Sequence, residues 1–135
     1  MPSGRSLSPW TVRLDGCFLI LAGGAALLME TIGHFLGIGP LASTLESPHT
    51  IGGFEAHGLA VLIGVLLVRA ADLPERRMWH VVGLVTHVFL GGANLLFWNS
   101  FVVQDLVLVG WVSTIFHFLF IAAHGACLRA GARGV

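Results

Sequence analysis

Seven histidines are set into a 135-residue chain that is 56% hydrophobic and only 10% charged. Inside a bilayer an ionisable side chain costs several kcal/mol unless it turns inward and finds a partner. Where these residues fall therefore decides what they can do. His57 is twelve residues from Arg69, His87 ten from Arg77, His117 twelve from Arg129 and Glu30 fifteen from Asp15. At about 1.5 Å per residue these four groups stand roughly 18, 15, 18 and 22 Å from one face, a shared mid-membrane level. His34 lies one turn beyond Glu30 on the same helical face, because positions i and i+4 are neighbours. The candidate site is thus Glu30, His34, His57, His87 and His117.

Three chemistries suit such a ring. Neutral imidazole is a common metal ligand, and three histidines with a carboxylate suit a divalent metal such as zinc or non-haem iron. Two histidines facing each other across helices, His57 with His117 or His87 with His117, could hold a b-type haem. His80 and His87, like His117 and His124, are seven residues apart. That is only about 10 Å along a helix and argues against two stacked haems. Proton transfer or quinone binding needs only His and Glu within hydrogen-bond reach. Against all three stands plain packing: a buried histidine often just hydrogen-bonds another helix, at about 1 kcal/mol, and Asn94, Thr86, Ser113 and Thr114 are available partners. In a hairpin of the last two long helices, His80 falls level with His124 as His87 does with His117, since each pair of numbers has the same total. The first of these pairs is expected at the wet cytoplasmic interface. Glu55 lies about 200° around its helix from His57, so one of the two faces inward. Asp105 reads as a charge favourable to a helix N-terminus.

The elements that must position these groups are four apolar stretches. A mean hydropathy of +0.87 and a hydrocarbon core that takes about 20 residues per crossing leave room for four spans and short connectors. The expected helices run from about 15 to 38, 48 to 70, 78 to 98 and 104 to 129, a single all-α, four-transmembrane-helix bundle. Gly37, Gly39 and Pro40 stop the first. Ser47 with Pro48 opens the second as cap and first helical residue. The N-terminal apolar run is too long for a signal peptide and carries Glu30, so it is read as the first span. All seven arginines lie in the N-terminus, the 69–77 region or the C-terminus. That places both termini and the middle connector in the cytoplasm. Trp10 and Trp79 then mark the inner interface, and Trp98 the outer.

Glycines and alanines at 23–26, the Gly33/Gly37 pair, and Gly91 with Gly92 suit close helix approach. A faint echo, His57-x-Leu59 to Arg69-Ala70 against His117-x-Leu119 to Arg129-Ala130, sets those two histidines at equal depth. Net charge is zero with no lysine, so there is no basic face for nucleic acid. Cys17 and Cys127 read as ordinary small helix residues, not as a disulfide framework. Phosphate loops, CxxC and HExxH motifs and a nucleophile elbow are absent from the sequence.

Gly33-His34-Phe35 before a Pro40-containing loop, and Gly53-Phe54-Glu55 with Gly58-Leu59-Ala60 and Gly64, resemble the DoxX-like family of small four-helix membrane proteins. The resemblance covers mainly the first two helices. It implies an inner-membrane protein that in some members partners a membrane oxidoreductase feeding quinone; His57, His87 and His117 lie outside its pattern. The expected function is redox-associated: metal or b-type haem ligation, or proton and quinone handling. The alternative is a non-catalytic accessory subunit of a membrane complex whose histidines only hydrogen-bond, and a homo-oligomer is compatible with either. Transport by alternating access has little machinery in four helices without broken halves.

Overall fold

The computed structural model describes residues 8–42 and 50–132. Among them are five helices and no strand: α1 Pro9–Leu36, α2 Thr50–Ala70, α3 Arg76–Leu96, α4 Trp98–Val103 and α5 Val107–Ala132. Four of the five are long and apolar enough to cross a membrane. The exposed surface fits that solvent: Val85, Phe89, Leu108 and Leu119 point outward, while most of what is buried on α3 and α5 is histidine or glycine. In water this would be inside out; in hydrocarbon it is the economical arrangement.

The first helix begins six residues before the expected start at Asp15. Ser8 precedes Pro9, and a proline at the first helical position forfeits only an N–H that the helix would leave unpaired. It ends at Leu36, where Gly37 turns left-handed (φ +64°) and donates its N–H to the Gly33 carbonyl at 3.0 Å, a glycine C-cap. The expected second start at Ser47 and Pro48 lies outside the described residues. Between the last two long helices the expected connector at Asn99 and Ser100 is itself helical, as α4. Its ring Phe101 lies over Gly110, where an added Cβ would come within 2.8 Å of it. Trp98 packs against Phe101 and Trp111, with centroids 5.5 and 4.8 Å apart. Asp105 takes a left-handed φ of 57°, tolerable for Asp, and so α5 starts at Val107. Asp105 is a turn residue here and not the helix-start charge expected.

The chain divides into two compact units, Met1–Asp15 with Leu67–Val135, and Gly16–Leu66. In the first unit α3 and α5 run antiparallel. Their buried residues are His80, Gly83, His87 and Gly91 on one helix and Gly110, Thr114, His117 and His124 on the other. Each set recurs every three, four or seven residues and so makes one stripe. Gly91 lets the backbones close: a Cβ there would lie 3.2 Å from that of His117. The opening turns of α1 belong to the same unit, with Val12 and Asp15 fully buried, Thr11 Oγ1 at 3.5 Å from Cys127 Sγ, and Arg13 donating to Asp72 at 2.6 Å.

The second unit is the hairpin of the remaining parts of α1 and α2. Gly23 lies against the His57 carbonyl and Ala60, and Gly64 against the Gly16 carbonyl. Small residues at these levels are what allow two membrane helices to touch backbone to backbone.

Candidate functional site

Five ionisable side chains meet in the first unit and touch in sequence. His80 and His124 face each other through their Nδ1 atoms at 2.9 Å. His124 Nε2 donates to Asp15 Oδ2 at 2.8 Å, and His87 Nε2 donates to Asp15 Oδ1 at 2.6 Å. His87 and His117 again face Nδ1 to Nδ1, at 2.8 Å. The order is therefore His80, His124, Asp15, His87, His117, with the carboxylate in the middle and two imidazoles on each arm. All are buried, four at 0% and His117 at 8%.

The fold holds this order by simple means. His80 and His87 are two turns apart on α3, and His117 and His124 two turns apart on α5, so antiparallel packing produces two facing pairs at once. Asp15 comes from α1, seven positions into that helix. Gly83 sits between the α3 histidines and leaves room for the centre: a Cβ there would lie 2.5 Å from His124 Nε2 and 2.7 Å from Asp15 Oδ2. Phe120 stacks on the His87 ring at 4.9 Å and 16°, which fixes its plane.

Nitrogens 2.8–2.9 Å apart share one proton, so one must be bare and the other protonated. With Asp15 ionised, it accepts from Nε2–H of both His87 and His124. Their Nδ1 atoms are then bare and accept from Nδ1–H of His117 and His80. Four neutral rings and one carboxylate give a net charge of −1. One further proton makes the whole chain neutral without breaking any of its contacts. A lone negative charge in a dry interior is costly, and the two Nε2–H donors of His87 and His124 offset that cost for the carboxylate.

The pairs expected from the level rule, His80 with His124 and His87 with His117, are both present. His80 and His124 are not at a wet interface, however; both are fully buried, because the first turns of α1 belong to the same unit. Asp15, expected at the membrane boundary, stands at the centre of the cluster, between His87 and His124. Glu30 and His57 meet in the second unit, with Oε2 and Nδ1 3.1 Å apart. That is an ion-pair distance, but the two atoms are not aligned as a hydrogen bond. His34 is exposed, its ring edge-on to Phe35 at 4.9 Å. Glu55 is exposed as well, and His57 is the inward member of that pair.

The sequence signal for Asp15 lies at the start of α1. Ser8-Pro9 is the same opening pair as Ser47-Pro48, and it sets the helix start early enough to carry Asp15 two turns into the span. The spacing of metal ligands does not appear: among the described residues no group of three or more His, Cys, Asp or Glu side chains is arranged to hold a metal ion. Nor do the facing nitrogens leave room for one, since a metal needs each at about 2.0–2.1 Å and a haem iron would separate two axial nitrogens by about 4 Å on that footing.

Comparison of the chain with models of protein families, with curated proteins and with solved structures gives no match.

Proposed function

We propose that the protein is a small inner-membrane protein that takes up and holds one proton in the bilayer interior, on the chain His80–His124–Asp15–His87–His117. The observation that carries this reading is the unbroken run of four contacts of 2.6–2.9 Å joining five buried ionisable groups. Entry from the His80 end is balanced bond for bond. A proton binds His80 Nε2; His80 Nδ1–H passes to His124 Nδ1; His124 Nε2–H passes to Asp15 Oδ2. Asp15 becomes a carboxylic acid that still accepts from His87, and every other group keeps its proton count. Reversal of the same steps returns the proton. Both termini are cytoplasmic in this reading, because all seven arginines fall on one side. A proton-holding group of this kind would serve a membrane oxidoreductase or quinone partner, the role that a DoxX-like relationship implies. Of the uses expected from the sequence, the facing-nitrogen geometry favours proton handling over metal or haem ligation.

Infrared titration of the purified protein is the test. A carboxylic C=O band is expected to appear on acidification, to shift in heavy water, to vanish in Asp15→Asn and to move in His87→Gln. A pH-independent spectrum would remove the proposal.

A second reading, a purely structural lock in an accessory subunit, is favoured by one observation: Asn94 links the two long helices by donating to Ser113 Oγ at 3.0 Å and Thr114 Oγ1 at 3.1 Å. It shows that some buried polar contacts here only join helices. Under it, Asp15→Asn lowers the melting temperature and no group titrates.

A further inference from the structure

The Gly16–Leu66 unit holds two polar atoms that helix packing leaves unaccounted for. Glu30 Oε2 on α1 and His57 Nδ1 on α2 stand 3.1 Å apart. Both atoms are buried, yet neither makes a hydrogen bond, to the other or to any described residue. A buried polar atom left without a partner costs about 1–3 kcal/mol, and folded proteins keep few of them unless a water or an ion fills the gap. Two such atoms side by side call for one shared occupant. The carboxylate has been given its place: Glu30 Oε1 lies where a side chain at position 53 would begin, and Gly53 has none.

The separation of the two atoms is informative in itself. Ligand atoms at about 2.0–2.1 Å from one ion stand roughly 2.8–3.4 Å from each other, for bond angles between a right angle and the tetrahedral one. Nδ1 and Oε2 at 3.1 Å fall within that range. Ligands of one metal point at the metal and not at one another, which matches the missing alignment here. The facing nitrogens of the first unit are the opposite case, since their contacts of 2.8–2.9 Å are closed hydrogen bonds.

A third ligand is one rotamer change away. His34 follows Glu30 by four residues on α1, so the two share a face. A helical side chain covers the turn on the N-terminal side of its own Cα, and for His34 that turn carries Glu30. The His34 ring is exposed and rests edge-on against Phe35 at 4.9 Å; exposed side chains exchange rotamers within picoseconds to nanoseconds. Two imidazoles with one carboxylate are a familiar ligand set for zinc and for non-haem iron. With His34 turned to Phe35 only two of the three are together, so no three-ligand group is formed among the described residues.

We infer that Glu30, His57 and His34 form a divalent-metal site in the Gly16–Leu66 unit, with the first two ligands in place and His34 closing on the ion as the third. Three protein ligands leave a position for water or a substrate oxygen. The site shares no residue with the proton chain, which belongs to the other unit.

Cobalt(II) is the probe, titrated into the full chain purified in detergent without a histidine tag. Visible absorption bands are expected to saturate at a single equivalent and to be displaced by zinc. Glu30→Gln and His57→Gln should abolish them, while His34→Ala weakens the affinity at least about tenfold, the lower end of what losing even an outer partner of a metal ligand costs. Glu30→Asp keeps a carboxylate and is expected to keep the bands at lower affinity, which separates loss of a ligand from loss of the fold. Absence of saturable binding would overturn the site, as would bands that survive both Glu30→Gln and His57→Gln. An affinity unchanged in His34→Ala would overturn the three-ligand set. None of these results bears on the infrared titration of Asp15, so the proton chain stands or falls separately.

Discussion

Two acid–histidine arrangements occur among the described residues, one in each unit, and they differ in alignment and in burial. Glu30 and His57 are level, mid-membrane and on neighbouring spans, yet their atoms meet at 3.1 Å without alignment and their side chains are 11% and 38% exposed. Asp15 stands near the start of its helix, yet both its oxygens accept from imidazoles at 2.6 and 2.8 Å and nothing of it is exposed. Depth in the membrane is one coordinate; direction around the helix is the other. A carboxylate is held on both oxygens only where other elements point at it together, and Asp15 has that from α3 and α5.

Removing the carboxylates separates the two most sharply. Asp15→Ala strands two buried ring donors at about 1–3 kcal/mol each, so thermal unfolding in detergent is expected to drop by far more than for Glu30→Ala. Glu30 leaves behind a histidine that is already partly exposed, with a loss of about 1 kcal/mol. Equal losses for the two variants would mean that the burial and alignment contrasted here have no energetic consequence.

The glycines beside each carboxylate sharpen the contrast at smaller amplitude. At Gly83 an added Cβ meets His124 Nε2 and Asp15 Oδ2, both held from their far sides by further hydrogen bonds, so Gly83→Ala is expected to cost about 1–3 kcal/mol as overpacking does. It should also change the infrared signature of the His124 arm. At Gly53 the same addition meets Glu30 Oε1, the free end of a flexible side chain that can swing aside. Gly53→Ala is therefore expected to be nearly neutral in the same melting assay. A larger loss at Gly53 than at Gly83 would contradict the locked centre.

What the sequence made legible follows from periodicity. Apolar length marked four spanning helices, and the seven-residue spacing of His80/His87 and His117/His124 set both facing pairs, because an antiparallel hairpin has a single register to choose. Gly37 ended α1 as its backbone freedom requires. Less accessible was anything that depends on a third element. Asp15 enters the site through the position of α1 against α3 and α5, and no periodicity within one helix encodes that. The burial of His80 and His124 was hidden for the same reason. The short helix α4 is not legible in the sequence because Asn99 and Ser100 look like a connector, while the Phe101 ring on Gly110 and the Trp98–Trp111 contact come only from tertiary packing.

The smallest effect expected compares two contacts of equal length within the first unit. Arg13 donates to Asp72 at 2.6 Å, with the two side chains 33% and 77% exposed; His87 donates to Asp15 at the same 2.6 Å in a fully buried setting. Distance alone would make them equivalent. Water screens the first pair and competes for both its partners, so a double-mutant cycle with Arg13→Ala and Asp72→Ala is expected to give a coupling of about 0.2–1 kcal/mol that shrinks with added salt. The corresponding cycle with His87→Phe and Asp15→Leu should give about 2–3 kcal/mol, the upper range for members of one network, and be insensitive to salt. A coupling for Arg13 and Asp72 as large and as salt-resistant as that of the buried pair would show that the hydrogen bond itself, and not its dry surroundings, sets the strength of the buried network.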